Sequence, residues 1–319
     1  MSVAERDTED VAALARRLAV LLAAGTAPAS AWTHVAESAG SPPRVQRVAA
    51  FVAEGFTVPE AILVSVRAVE REPPARQRAV SQHTDAAWLA IAAAWQVASD
   101  AGAPLAGTLE SVADALRDVE QTEREVATAL AGPASTSKLV MVLPGIGLLF
   151  GAALGFDTFT VLATTPAGWA CLLIGSALLL AGRAWTRRLL GAAGRRSTTP
   201  GLELDLLAIA VGGGASVDRA REAVRAALER CQLPVGDLAL AEETLDLSQR
   251  AGVPAAGLLR AEASQQRSRA RGDGARAAAK LGVTLMLPLG ACILPAFVAV
   301  GVVPLMIAVI SSSLGTLPA

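Results

Sequence analysis

The chain has 319 residues, of which 53% are hydrophobic, and its mean hydropathy is +0.46. These values are high for a soluble globular protein and usual for a chain that crosses a membrane several times. The net charge of −1 gives no overall positive electrostatic potential that would attract nucleic acid. The three cysteines are scattered, without metal or redox spacing, which argues against a disulfide scaffold and against a zinc site.

The first 138 residues predict a cytoplasmic helical module. Gly25 and Pro28 predict that one helix ends and the next begins between them, because proline suits a first helical turn. The uncharged run 18–36 is too polar and too broken for a membrane span. The acidic residues 1–10 contain no apolar segment, so we expect no cleaved secretory signal.

Residues 40–85 predict an insertion in this module, with a helix-turn-helix joint near Gly55. Asp85 is expected to cap a helix that carries Trp88. The uncharged stretch 86–99 in that helix is too short to cross a bilayer and predicts a buried core helix.

A break at Gly102-Ala103-Pro104 follows, and apolar residues at three-four spacing then predict an amphipathic helix of about 25 residues. We read its apolar stripe mainly as a packing surface of the bundle. Glu120 and Arg124 are expected to form an ion pair on the solvent-exposed face of this helix.

Residues 139–182 predict a transmembrane hairpin. Leu139 to Phe156 is an uncharged run of 18 residues, Thr158 to Gly182 is an uncharged run of 25, and Asp157 separates them. At about 1.5 Å per residue, each run can cross a hydrocarbon core of about 30 Å. In lipid the backbone must satisfy its own hydrogen bonds, so both runs are expected to be helices.

Three glycines in the first arm of this hairpin form one smooth helix face, which lets a second backbone approach closely. The packing partner is either another subunit or the second arm, where glycines recur every seven residues. The first set comprises Gly147, Gly151 and Gly155, and the second comprises Gly168, Gly175 and Gly182.

Residues 183–280 predict a second cytoplasmic helical module. Its helices are expected at Leu202–Val211, Val217–Arg230 and Leu238–Arg250 and after Pro254, with a break at the glycines 212–214. The last 39 residues, 281–319, carry no charge and are too long for one span. Three prolines and Gly301 predict a broken helical hairpin that turns near Gly301, and one span with a membrane-lying tail is the alternative.

Basic residues flank both apolar segments and predict a cytoplasmic edge by the positive-inside rule; they can also contact anionic lipid head groups. They are Lys138, Arg183, Arg187, Arg188 and Lys280. The predicted fold is therefore an all-α integral membrane protein. It has two cytoplasmic helical bundles, 1–138 and 183–280, and two transmembrane hairpins, 139–182 and 281–319.

The two halves of the chain repeat the same order of features. Gly102-Ala103-Pro104 and Gly252-Val253-Pro254 each precede a long charged helix, and the joint 24–27 resembles 212–215. In each half a basic border and an apolar segment follow. The first half carries the insertion in addition.

Four stretches carry a resemblance to a known family. They are Leu18–Ser30 (LAVLLAAGTAPAS), Trp95–Leu109 (WQVASDAGAPLAGTL), 131–168 with its Gly-Pro, Leu-Pro and Thr-Pro-Ala-Gly motifs, and 287–304. The pattern resembles the type II secretion F-domain family, the inner-membrane platform proteins of type II secretion and of type IV and Tad (Flp) pilus machines. The chain departs from the family in its joint Gly212–Gly214 and in the expected lack of a span before the first module. It therefore resembles either one standard subunit or a fusion of two sister subunits.

The resemblance implies a non-enzymatic platform without a cofactor. A cytoplasmic ATPase would bind the bundles, and pilin-like subunits would be guided out of the bilayer. A sister platform protein or a second copy of the chain would complete the assembly. Movement would pass into the spans through the breaks before the long helices, at Gly102, Pro104, Gly252 and Pro254.

The sequence contains no catalytic constellation. It lacks a Gly-x-x-x-x-Gly-Lys-Ser/Thr loop, so it is not itself the ATPase, and it lacks a His-Glu-x-x-His zinc motif. The alternative function is a transporter or channel subunit. That function needs ionisable groups along a membrane path, and the predicted spans offer only Ser and Thr.

Both polar modules are predicted to face the cytoplasm, with Asp157 on the opposite side. In a background without native cysteines, an impermeant thiol reagent applied to intact cells should label Asp157→Cys and leave Leu240→Cys unlabelled. Labelling of the second variant, or a chain that is water-soluble without detergent, would contradict this topology.

Overall fold

A computed structural model describes residues 3–69, 75–122, 165–193, 199–234 and 238–304, with isolated positions at 124, 125, 128, 146, 236, 306 and 307. Across these ranges the chain is helical with connecting turns and contains no β-strand, which confirms the all-α class. The chain divides into two compact units. Unit 1 comprises Met1–Arg124 and Ser197–Gly272, and unit 2 comprises Glu125–Arg196 and Asp273–Ala319.

The helices of both units are numbered here in chain order. They are α1 Val3–Ala23, α2 Pro28–Glu37, α3 Pro43–Ala53, α4 Val58–Val69, α5 Ala75–Ala101, α6 at 105–122, α7 Pro166–Ala193, α8 Leu202–Gly212, α9 Val217–Arg230, α10 Leu238–Ala251 and α11 Ala255–Thr284. A further helical stretch, Met286–Val302, is called the C-terminal segment below. The expected break between α1 and α2 is confirmed, and α3 and α4 occupy the predicted insertion.

Helix α5 is the central element of the first half. Most of its side chains from Ala87 to Ala98 are buried, as expected for a core helix. The rings of Trp88 and Trp95 lie 6.3 and 6.4 Å from the ring of Trp32, which is itself fully buried. Such aromatic contacts contribute about 0.5–1.5 kcal/mol each beyond burial of their area.

The expected capping role of Asp85 is wrong. Helix α5 begins at Ala75 and continues through position 85. The Asp85 carboxylate instead lies 2.6 Å from the guanidinium of Arg44 on α3. That guanidinium also lies 5.8 Å from the centroid of the Trp88 ring. A tertiary contact therefore holds this carboxylate, and the local sequence could not reveal it.

The second half of unit 1 follows the predicted helices closely. Helix α8 is buried along its whole length from Leu202 to Ala210, as expected for a helix that is apolar on almost every side. It packs against α5, and α9 packs against both α5 and α8. The two halves therefore share one hydrophobic core. The division into four consecutive segments stays a prediction.

Unit 2 contains α7 and the C-terminal segment, which pack against each other in opposite directions. A Cβ atom on Gly182 would lie 3.1 Å from Cys292 Cβ, and one on Gly175 would lie 2.1 Å from Val300 Cγ2. The glycines of α7 thus permit close approach to the last apolar run of the chain. Gly147, Gly151 and Gly155 lie outside the described residues, so their packing stays a prediction.

The C-terminal segment does not turn at Gly301, where we expected a hairpin turn. Two π-helical turns, Leu289–Ile293 and Val298–Val302, interrupt its α-helical turns. Each precedes a proline, Pro295 or Pro304, whose missing N–H and ring would otherwise break the helix. The wider turns absorb this disruption, so the helix continues. Residues 308–319 lie outside the described range, and the second hairpin stays a prediction.

Substitution of Gly175 by Ala should destabilise unit 2, because the added methyl group would overlap Val300. Overpacking of this kind costs about 1–3 kcal/mol. Thermal unfolding of the chain in detergent, followed by circular dichroism, measures the loss. Gly290→Ala is the control, since no atom lies within 4 Å of the added methyl group. The double variant Gly175→Ala with Val300→Ala should regain stability, and failure to do so would contradict the contact.

Candidate functional site

The two joints before the long helices have the same geometry. Gly102 has φ +68° and Gly252 has φ +67°, a left-handed conformation that glycine adopts without strain. The following N–H groups close equivalent hydrogen bonds, from Ala103 to the Ala98 carbonyl and from Val253 to the Ser248 carbonyl. Both joints are Schellman motifs, which end a helix and redirect the chain.

Each joint glycine is required for its backbone conformation and not for space. A Cβ atom on either glycine would meet nothing within 4 Å. Pro104 and Pro254 stand directly before α6 and α11, where a missing N–H is tolerated. The four residues therefore form two matched helix junctions, as the sequence predicted. Their role in coupling remains a proposal.

The joint of the first half also contacts the glycine-rich break of the second half. A Cβ atom on Gly213 would lie 2.6 Å from the Ala101 carbonyl oxygen and 3.0 Å from the Ala103 nitrogen. Only glycine permits this backbone approach. The sequence analysis treated residues 212–214 simply as a break and missed the contact, because the repeat does not show which half packs on the other.

A cluster of charged side chains joins three helices inside unit 1. Arg267 on α11 lies 2.5 Å from the Asp205 carboxylate on α8 and 3.2 Å from the Asp118 carboxylate on α6. Arg271, one turn further along α11, lies 3.1 Å from Asp118. The sequence analysis missed this cluster. The available signal was Asp205 itself, an acid within the apolar run 202–211.

Asp205 is held in an environment that opposes its charge. The residue is only 6% exposed, and burial raises the pKa of its carboxyl group although Arg267 and Arg260 act in the opposite direction. A raised pKa means that this group favours the folded state most at pH values below its unfolded pKa. That contribution is lost as the pH rises through the folded pKa. Near neutral pH the folded state depends on the arginine partner.

A second acid was placed wrongly by the sequence analysis. Glu120 does pair with Arg124, as expected, but it is only 5% exposed and does not lie on a wet face. Glu120 follows the buried residues Leu109, Ala113 and Leu116 at three-four spacing, so it lies on the buried face of α6. The sequence analysis gave its charge more weight than its position in this series.

The basic border lies at one end of unit 2. The side chains of Arg183 and Arg188 on α7 and of Lys280 on α11 are exposed. Because α7 and the C-terminal segment are antiparallel, the end of α7 and the residues before Met286 lie at the same end of this unit. Lys138 and the side chain of Arg187 lie outside the described residues.

Within the residues that the structure describes, two helices are long and apolar enough to cross a membrane, judged by length and composition alone. One is Gly168–Thr186, with 19 residues, and the other lies within Ala255–Val302. Large apolar side chains on both are exposed: Leu173 by 65%, Leu180 by 67% and Met286 by 64%. Trp169 and Trp185 are exposed near opposite ends of the stretch Gly168–Thr186, a position typical of membrane interfaces. These features are typical of helices that cross a membrane.

Comparison with known proteins gives one family match. Residues 14–153 match the family model described as Type II secretion system (T2SS), protein F. This match, over somewhat less than half of the chain, supports the resemblance to the type II secretion F-domain family. No curated protein and no solved structure matches it. The domain fits an inner-membrane platform protein of a type II secretion or type IV pilus system.

The part of the chain that the structure describes contains no group of three or more His, Cys, Asp or Glu side chains that could hold a metal ion. Burial raises the pKa of the Cys231 thiol to about 11, so it remains protonated and unreactive near neutral pH. The charged cluster around Arg267 joins α6, α8 and α11.

Removal of Arg267 should destabilise unit 1 strongly, because it leaves Asp205 buried without its main partner. Arg267→Met is expected to lower the free energy of unfolding by about 3–5 kcal/mol. The double variant Arg267→Met with Asp205→Leu removes both charges and should be more stable than the single variant. Urea unfolding of the chain in detergent measures both effects.

The control for this experiment is Arg250→Met. Arg250 forms a comparable pair with Asp246 at 2.9 Å, but both side chains are more than 60% exposed. An exposed pair of this kind contributes at most about 1 kcal/mol. A double variant that is less stable than Arg267→Met alone would show that the cluster is not stabilised in the way described.

Proposed function

We propose that this chain is a non-enzymatic platform of a type II secretion or Tad (Flp)-type pilus machine. It connects a cytoplasmic assembly ATPase to pilin-like subunits that leave the membrane. One observation carries the proposal: the two halves share one core in unit 1, and each ends in a glycine joint followed by a long helix. The family match supports the same role.

The charged cluster supplies a route by which the two long helices can respond together. Asp118 lies on α6, and the chain after α6 leads to the apolar run 139–156. Arg267 and Arg271 lie on α11, which continues toward the C-terminal segment. Because Arg267 binds Asp118 and Asp205 at once, a displacement of α6 changes contacts of both α8 and α11. A force applied to unit 1 would therefore reach both apolar segments.

Membrane placement follows from charge and exposure. The exposed apolar residues of α7 and the C-terminal segment would face lipid, and the basic border would lie at the cytoplasmic surface. Unit 1 would then face the cytoplasm, where the ATPase is available. Pilin-like subunits would contact the spans within the bilayer, where their own apolar helices reside.

The coupling role of the joints can be tested by backbone conformation alone. Gly102→Val and Gly252→Val force a β-branched residue into the left-handed region, at a cost of about 1–2 kcal/mol. We expect these variants to insert into the membrane at normal levels but to assemble no pili. Asn tolerates the left-handed conformation, so Gly102→Asn and Gly252→Asn should retain assembly.

The matched controls are Gly107→Ala and Gly257→Ala, which lie five residues after each joint within α6 and α11. Neither added methyl group meets an atom within 4 Å, and neither glycine has a positive φ. Pilus assembly in cells is compared with the membrane level of the protein. Normal assembly in the Val variants would refute the coupling role.

A further inference from the structure

The two halves of unit 1 meet through α5 of the first half and α8 of the second. At one end of this contact Leu202 and Ala90 line the same small cavity, and at the other end Gly213 lies against Ala101. The two helices therefore run in the same direction. Because the two ends pair residue 90 with 202 and residue 101 with 213, the same stride on both helices places Leu206 opposite Ala94 and Ile209 opposite Val97.

The internal repeat supplies a second example of each of these two helix faces. The joint glycines at positive φ pair Gly102 with Gly252 and Gly25 with Gly214, which shifts the sequence match of 24–27 with 212–215 by one residue. Helix α10 is therefore the counterpart of α5, and α1 is the counterpart of α8. Counting back from the glycines gives the corresponding residues: Thr244, directly after Glu243, for Ala94, Leu247 for Val97, Arg17 for Leu206 and Val20 for Ile209.

The hydrogen bonds at the helix ends support this correspondence. The N–H of Thr26 donates to the Leu21 carbonyl after α1, and the N–H of Ala215 donates to the Ala210 carbonyl after α8. These are the same Schellman bonds as those after α5 and α10. The repeat is thus structural as well as sequential.

The second pair of faces differs from the first in being open. Ile209 and Val97 are 3% and 0% exposed, whereas their counterparts Val20 and Leu247 are 64% and 49% exposed. Arg17 and Glu243 are also exposed, while Leu206 at the position equivalent to Arg17 is fully buried. In the first half, the face of α5 is covered by α8, and in the second half, the face of α8 is covered by α5. The equivalent faces of α10 and α1 remain exposed.

The two open faces have complementary chemistry. If they met as α5 and α8 do, Val20 would lie opposite Leu247, and Arg17 would lie opposite Thr244, next to Glu243. The faces that meet inside the chain are instead purely apolar at these positions. An exposed leucine near Glu243 and an exposed valine near Arg17 suit contact between two surfaces that are otherwise in water.

We propose that α10 of one copy of this chain docks on α1 of a second copy, so that the internal α5–α8 contact is repeated between molecules. The contact is head-to-tail, because it joins two different faces, and it continues into a ring or a row. Confinement of the chains in one membrane raises their effective concentration and favours such a contact. This inference goes beyond the proposed function and needs neither the ATPase nor a pilin.

Charge reversal tests the Arg17–Glu243 pair. Arg17→Glu and Glu243→Arg should each weaken self-association of the detergent-solubilised chain about tenfold or more, since a like-charge pair replaces an attractive one. The double variant R17E/E243R restores opposite charges in every contact and should regain association. Glu222→Arg and Arg225→Glu, exposed on α9, are the controls and should have no effect. Sedimentation velocity measures the assembly, and failure of the double variant to recover would overturn the pairing.

Cysteine cross-linking tests the direction of the contact. The native cysteines of the chain are first replaced. In membranes, the variant that carries both Val20→Cys and Leu247→Cys should then give a ladder of dimers, trimers and larger species on oxidation. Val20→Cys alone should give none. Dimers from Val20→Cys alone would indicate a two-fold contact and overturn the proposal. So would the absence of any ladder, or a cross-link that forms only to a different protein.

Discussion

The packing of α8 against α5 is the contact on which the rest of unit 1 depends. Residues Leu202–Ala210 of α8 and most residues from Ala87 to Ala98 of α5 are buried, and each helix belongs to a different half of the chain. The contact is possible at its far end because Gly213 allows two backbones to meet. Burial of two apolar helices against each other supplies the main favourable free energy, since it removes large apolar areas from water. The two halves therefore share one hydrophobic core.

The positions of the charged cluster and of the glycine joints depend on this shared core. Arg267 can bind Asp118 and Asp205 together only because the core brings α6, α8 and α11 to one place. The same core fixes the starting points of the two long helices. In unit 2 a different principle applies, because lipid gives helices no hydrophobic reason to associate and close approach at glycine must supply the contact. Gly175 and Gly182 fill that role.

Where the sequence analysis succeeded, a local rule was sufficient. Glycine and proline marked the ends of α1, α5, α8 and α10, because positive φ and a missing N–H are properties of single residues. The analysis was wrong about Asp85 because a distant contact decided the outcome: Asp85 was expected to cap a helix and instead binds Arg44. It was also wrong about Glu120, which lies on the buried face of α6, and about Gly301, where π-helical turns let the helix continue. The family resemblance came from the order of joints and apolar runs, and the family model that matches residues 14–153 supports it.

The sequence by itself determined the helical class, the apolar segments, the repeat and the joints, because helix periodicity, hydropathy and backbone preference act over a few residues. Only the tertiary structure decided that α8 packs on α5, that Arg267 joins three helices, and that the faces of α1 and α10 stay open. These features depend on which of several similar apolar faces pack together. That choice is made by the shape and volume of the whole core, which no short stretch of sequence contains.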